Sequence, residues 1–238
     1  FDDDGNVTEA VGAPIIMDGG VTEDQPTVDR IAEAAVPLDE IRNKVVAETG
    51  EAIDGERDSC RTQECAMGNL VADAMLDRVK DQGIQVAIAN GGGLRASIDA
   101  GPVTMGEVLT VLPFQNTLST FQVTGAQLIE ALENGVSQIE DGAGRFAQVA
   151  GMSYAFDASQ EPGSRISDVM VAGAPIEMEK LYGVVSNNYV RTGGDGYKVF
   201  IDAQNAYDFG PDLADVTAEY LAENAPYTPY TDGRIVRK

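Results

Sequence analysis

The 238-residue chain contains no histidine and no tryptophan. Without histidine, Ser-His-Asp and Cys-His chemistry is excluded within this chain, and the commonest transition-metal ligand is absent. Hydrolysis by these residues alone would need carboxylates or a hard metal. Basic residues are scarce, 16 against 39 acidic ones, for a formal net charge of −23 at pH 7. Proteins that track phosphate backbones carry basic surfaces, so nucleic acid is not an expected partner. The acid is spread along the chain, as in a solvated surface adapted to salt. An anionic ligand must therefore meet a local basic cluster that works against the overall field. No apolar run approaches the ~20 residues of a membrane span. Cysteine is limited to Cys60 and Cys65. With no other soft ligands, a local disulfide is the expected state and two free thiols the alternative. A disulfide points to a periplasmic or extracellular setting. Closing so short a loop is worth about 2 kcal/mol. The sequence opens on Phe1, without an initiator Met or a secretory leader, and is expected to be a mature or trimmed piece.

What is present suits a folded domain. Hydrophobic residues make up 43% of the chain, and a chain of this length buries about 70% of its unfolded surface. Residues 1–20 carry strand-end and Asp-Gly turn signals but no core, and read as the last strands of a preceding domain. Val28, Ile31, Ala32, Ala35, Leu38 and Ile41 then recur at helical spacing behind Thr27, with Pro37 expected to kink or split the helix. From Lys44 onward the pattern predicts an extended segment at 45–53, a helix at 67–80 and a buried strand at 85–89. Capping boxes at Thr104/Glu107 and Thr124/Gln127 open two helices around a strand at 118–123. Further strands are expected at 146–156, 166–171, 181–186 and 234–236, and a helix capped by Asp212. The mixture of hairpins and crossovers argues for an α+β domain of mixed α/β layers.

Four stretches stand out from this framework. Asn90-Gly91-Gly92-Gly93-Leu94-Arg95 directly follows the strand at 85–89. Three glycines in a structured region are costly, and are expected where a turn needs positive φ or where the backbone lies close to something else. Asn90 donates and accepts, and Arg95 presents a fork of donors suited to phosphate or carboxylate. A tight turn beside a surface Arg accounts equally for this stretch alone. Arg61 lies between the two cysteines at a helix start. Phe114 follows Pro113 at a helix end, as an ordinary core Phe would. Asn188 to Tyr197 holds a second Gly-rich loop with two Tyr and Asp195, where a hairpin turn is the simpler alternative.

Together with Gly144 to Gly151 (GRFAQVAG), these stretches resemble the C-terminal domain of the 5′-nucleotidase family, over about residues 44–238. The cysteine pair and the NGGGLR form look most like ecto-5′-nucleotidases and their bacterial relatives. The resemblance implies a two-domain enzyme. Its N-terminal metallophosphoesterase domain holds two divalent metal ions through His, Asp and Asn ligands, and its C-terminal domain binds the nucleoside. Residues 1–24 would then be a remnant of the catalytic domain, 25–43 an interdomain linker helix and 44–238 the nucleoside-binding domain. The resemblance places the base between Phe114 and Tyr189, the latter on a strand. The family usually has Phe at the second position, and the Tyr ring keeps the stacking face. It implies base contact by Asn90 with the glycine loop of Gly92, ribose and phosphate contacts by Arg61 and Arg95, and acceptance from ribose hydroxyls by Asp195. Some family members dimerise through this domain, so a homodimer is among the implied partners. The metal motifs Asp-x-His and Gly-Asn-His-Glu are absent from this chain. No catalytic residue, metal ligand or cofactor is therefore expected within it. The alternatives are a stand-alone nucleotide-binding module without hydrolytic activity, or a related cyclic-nucleotide phosphodiesterase or UDP-sugar hydrolase.

Overall fold

The computed structural model describes all 238 residues, which separate into two units, Phe1–Glu40 and Ile41–Lys238. In the first, Asp2 Oδ1 accepts from the Asp4 and Asn6 amides to close a turn, but no strand forms. The expected strand end fails because extended backbone without a partner has nowhere to place its ladder hydrogen bonds. Helix α1, Gln25–Arg42, runs through Pro37 as one helix, so Pro37 does not split it. None of its residues is buried.

The second unit holds the remaining elements. They are β1 (Val45–Thr49), α2 (Arg57–Cys60), α3 (Ala66–Arg78), β2 (Val86–Asn90), β3 (Gly101–Thr104), α4 (Met105–Val111), β4 (Leu118–Thr124), α5 (Gly125–Val136), β5 (Ala147–Ala150), β6 (Met152–Phe156), β7 (Ile166–Val171), β8 (Ala174–Pro175), β9 (Leu181–Asn187), α6 (Asn188–Arg191), β10 (Gln204–Tyr207), α7 (Leu213–Glu223) and β11 (Ile235–Arg237). Both capping boxes form, at Thr104/Glu107 and Thr124/Gln127. The strand expected over 146–156 is two strands. Gly151 breaks it at φ +72, and its backbone passes so close to Gln85 that a Cβ would stand 2.0 Å from the Gln85 carbonyl oxygen. This turn sends β5 into one sheet and β6 into another.

The main sheet has the order β10-β4-β9-β2-β5, with β2 parallel to β9 and the other pairs antiparallel. A second sheet has the order β11-β6-β7-β8, and β1 pairs with β3 alone. Every residue of β2 is buried, so alternation along it serves two cores. Ala87 and Ala89 join the core that contains α3 and α7, while Val86 and Ile88 join the core under α5 and the second sheet. The result is a mixed α+β arrangement with helices on both faces of a central sheet.

This topology also fixes what meets at one edge. Because β2 and β9 are parallel, the loops after Asn90 and Asn187 leave the sheet on the same side. The antiparallel neighbours start there. Ala147 of β5 stands opposite Asn90, and Leu118 of β4 opposite Asn187. Four chain segments far apart in sequence therefore converge.

Candidate nucleotide-binding site

At that edge a cleft of about 530 Å³ opens. It is lined by Arg61, Asn90, Gly92, Arg95, Phe114, Tyr189 and Asp195, all seven residues singled out above, together with Gly93, Asn116 and Gly144. Gly91–Gly93 form one 3₁₀ turn with negative φ, so these glycines serve close approach rather than a left-handed turn. A Cβ on Gly91 would stand 2.2 Å from the Cys60 carbonyl oxygen, and one on Gly92 would stand 2.8 Å from the Gly144 Cα. The backbone confirms the contact, with Gly92 N–H donating to the Gly144 carbonyl at 2.7 Å and Gly91 N–H to that of Phe146 at 2.8 Å.

Cys60 and Cys65 are joined in a disulfide. Behind this loop the buried Gln148 amide donates to the carbonyls of Cys60 (3.0 Å) and Gln63 (2.8 Å). The staple and the glutamine fix the loop that carries Arg61. Arg61 is only 7% exposed, and its one hydrogen bond is a long one, from Nη1 to the Gly142 carbonyl at 3.4 Å, while Nε has no partner. Burial and the charges of Arg57 and Arg95 push its pKa down, and Asp195 partly offsets them. A buried, under-bonded guanidinium beside two others favours an anion in the cleft. Arg57 escaped the reading of the sequence. Its signal was there, one helical turn before Arg61 at the i,i+4 spacing.

The opposite end of the site is an amide–carboxylate relay. Asn187 caps α6 by accepting from the Val190 amide at 2.9 Å, and its NH₂ donates to Asn90 Oδ1 at 2.9 Å. That contact commits the Asn90 oxygen and aims its NH₂ at Asp195 Oδ2, at 2.7 Å. Asp195 itself sits in the left-handed region at φ +52. Asn187 was not expected from the sequence, where it stands beside Asn188 ahead of a loop and carries no signal of its own.

Both aromatic rings are exposed, Phe114 by 54% and Tyr189 by 47%. Tyr189 lies on the helical turn α6 rather than on a strand, because Asn187 caps the chain into a helix directly after β9. A Cβ on Gly194 would stand 2.6 Å from Cε1, Cε2 and Cζ of Tyr189 at once. Gly194 therefore backs one face of that ring. The Arg95 guanidinium stands 5.7 Å from the Phe114 ring centroid, within cation–π range.

The cleft at this sheet edge brings together two exposed aromatic rings, two guanidinium groups and a carboxylate. The family model "5'-nucleotidase, C-terminal domain" matches residues 44–202, and the chain belongs to the 5′-nucleotidase family. It is 38% identical to the trifunctional nucleotide phosphoesterase YfkN of Bacillus subtilis, over 99% of this chain and 17% of that protein. It is 31% identical to the venom 5′-nucleotidase of Macrovipera lebetinus, over 99% of this chain and 62% of that protein. Among solved structures, a 5′-nucleotidase precursor from Thermus thermophilus superposes with a TM-score of 0.84 at 41% identity, covering 90% of this chain and 43% of that one. The NAD nucleotidase of Haemophilus influenzae superposes at 0.75 with 25% identity, over 90% of this chain and 41% of that one. The chain thus spans less than two thirds of the length of these relatives. No helix is long and apolar enough to cross a membrane. No three His, Cys, Asp or Glu side chains are placed to hold a metal ion.

Proposed function

We propose that this chain is the substrate-binding domain of a secreted, metal-dependent 5′-nucleotidase that hydrolyses nucleoside 5′-phosphates to nucleoside and phosphate. The observation that carries the reading is the convergence of Arg61, Asn90, Arg95, Phe114, Tyr189 and Asp195 on one cleft. In this reading the base stacks on Phe114 and on the free face of Tyr189, at about 1–3 kcal/mol per face. Asp195, with Asn90 beside it, accepts from the ribose hydroxyls. Arg61 and Arg95 attract the phosphate groups into an otherwise acidic protein. A metal pair would supply the water nucleophile from a metallophosphoesterase domain of the same protein, with residues 1–24 as its end and 25–43 as the linker.

Calorimetry of this chain with adenosine, AMP and ADP tests the reading. All three are expected to bind, and absence of binding for all three would overturn it. No phosphate release from AMP is expected, with or without added divalent metal. Turnover that survives repurification would place a hydrolytic centre in this chain. The alternative reading is a binding module without a hydrolytic partner. A metallophosphoesterase domain encoded upstream of Phe1 would sink that alternative.

A further inference from the structure

Arg145 lies in the Gly144 to Gly151 stretch, yet it does not line the cleft. Its carbonyl accepts from the Tyr197 hydroxyl at 2.6 Å, and its Nη1 donates to Asn134 Oδ1 at 3.2 Å and to Ser137 Oγ at 3.1 Å. A guanidinium has donors only, so the Asn134 amide must turn its oxygen toward Arg145. Its NH₂ is then directed the other way, and it donates to the Asp195 carbonyl at 3.1 Å. Asn134 stands near the end of α5, 61 residues before Asp195.

The Asp195 backbone needs such a hold. It is left-handed, at φ +52 and ψ 22, a conformation that Asp tolerates but does not favour. Next to it, Gly196 comes so close to Asn134 that a Cβ would stand 2.6 Å from Oδ1. In front, the Asp195 carboxylate accepts one hydrogen bond on each oxygen, from Asn90 and Tyr189. Each oxygen keeps a free lone pair for a ligand hydroxyl. Released from Asn134, the 195 peptide can relax toward a right-handed conformation and swing the carboxylate out of place.

We propose that Asn134 is a positioning residue. It holds the Asp195 backbone in its left-handed conformation so that the carboxylate faces the hydroxyl groups of a bound ribose, and Arg145 sets the orientation of the Asn134 amide. The inference rests on the nucleoside reading of the cleft and adds to it a specificity element outside the ligand contacts.

The test measures binding of adenosine and of 2′,3′-dideoxyadenosine to this chain and to Asn134→Ala, Asn134→Asp, Asp195→Ala and the Asn134→Ala/Asp195→Ala pair. Asn134→Asp keeps an acceptor for Arg145 but has no donor for the Asp195 carbonyl. Both Asn134 variants are expected to lose about five- to tenfold in adenosine affinity, and less than about twofold for the dideoxy ligand, whose diol is gone. Asn134→Ala is expected to add nothing once Asp195 is Ala, because coupled residues are not additive. Equal losses for the two ligands would overturn the inference and mark Asn134 as a general support of the fold. So would an additive loss in the double variant, or unchanged adenosine binding in both Asn134 variants while Asp195→Ala weakens it. Unchanged adenosine binding in Asp195→Ala would instead overturn the nucleoside reading, and the inference with it.

Discussion

The Tyr189 hydroxyl donates to Asp195 Oδ1 at 3.0 Å and accepts from the Asp195 amide at 3.2 Å. Tyr189 thus offers more than a ring face. Six residues before the carboxylate in sequence, it grips both the side chain and the backbone of Asp195. A Phe at this position would supply the ring alone. Tyr189→Phe is therefore expected to keep stacking but weaken adenosine binding about fivefold, through the loss of those contacts. Tyr189→Ala is expected to lose at least about tenfold. Titration calorimetry separates the cases, and a silent Tyr189→Phe would show that Asp195 is held well enough by its other partners.

Arg95 is exposed and has a single long hydrogen bond of its own, from Nη1 to the Gly92 carbonyl at 3.4 Å. It is free to meet a phosphate. Arg95→Ala is expected to weaken AMP binding by about tenfold or more and adenosine binding by less than about threefold, from the loss of its contact with Phe114. Equal losses for the two ligands would mean that Arg95 braces the aromatic ring rather than the anion.

Phe114 separates ligand contact from core packing. A fully buried Phe changed to Ala costs about 3–5 kcal/mol, but Phe114 is 54% exposed whereas Phe121 is 1% exposed. Phe114→Ala is expected to lower the melting temperature by less than about 4 °C and adenosine affinity about tenfold. A large fall in melting temperature with unchanged affinity would assign Phe114 to the core.

The Cys60–Cys65 staple closes a short loop under Arg61. Replacing both cysteines with Ser is expected to cost about 2 kcal/mol, or about 4–8 °C in melting temperature. AMP affinity is expected to fall more than adenosine affinity, because Arg61 loses its fixed position. Unchanged AMP binding in the Ser/Ser variant would show that Gln148 alone holds the loop.

A pH effect is expected away from the cleft. Hydrogen bonds from Arg234 hold the Asp232 carboxyl below its ordinary value of 3.8. A carboxyl lowered by folding contributes stability above its unfolded pKa and loses it as the pH falls through the folded one. The difference in melting temperature between the native chain and Asp232→Asn is therefore expected to be fully present above the ordinary carboxyl value of 3.8 and to shrink as the pH falls below it. A difference that persists or grows in acid would assign the effect to packing instead.

Local patterns carried much of this protein in the sequence. The two capping boxes, the buried run that became β2 and the Asp212 cap are set by side chains within four residues of one another, and short-range chemistry of that kind needs no partner. Composition excluded histidine chemistry outright, and the motif stretches named the residues that line the cleft. The sequence left open what the glycines were for. Close approach rather than positive φ became visible only when the chain near Cys60 and Gly144 came against Gly91 and Gly92. It also showed no reason to split residues 146–156 at Gly151, or to give Tyr189 a helical turn. Asn134, Arg145 and Asn187 are ordinary polar residues until the parallel pairing of β2 with β9 gathers their partners at one edge. The contacts span 61 residues from Asn134 to Asp195 and 97 from Asn90 to Asn187. Contacts at that distance leave no periodicity in the sequence, so the relay that holds Asp195 was decided by the tertiary structure alone.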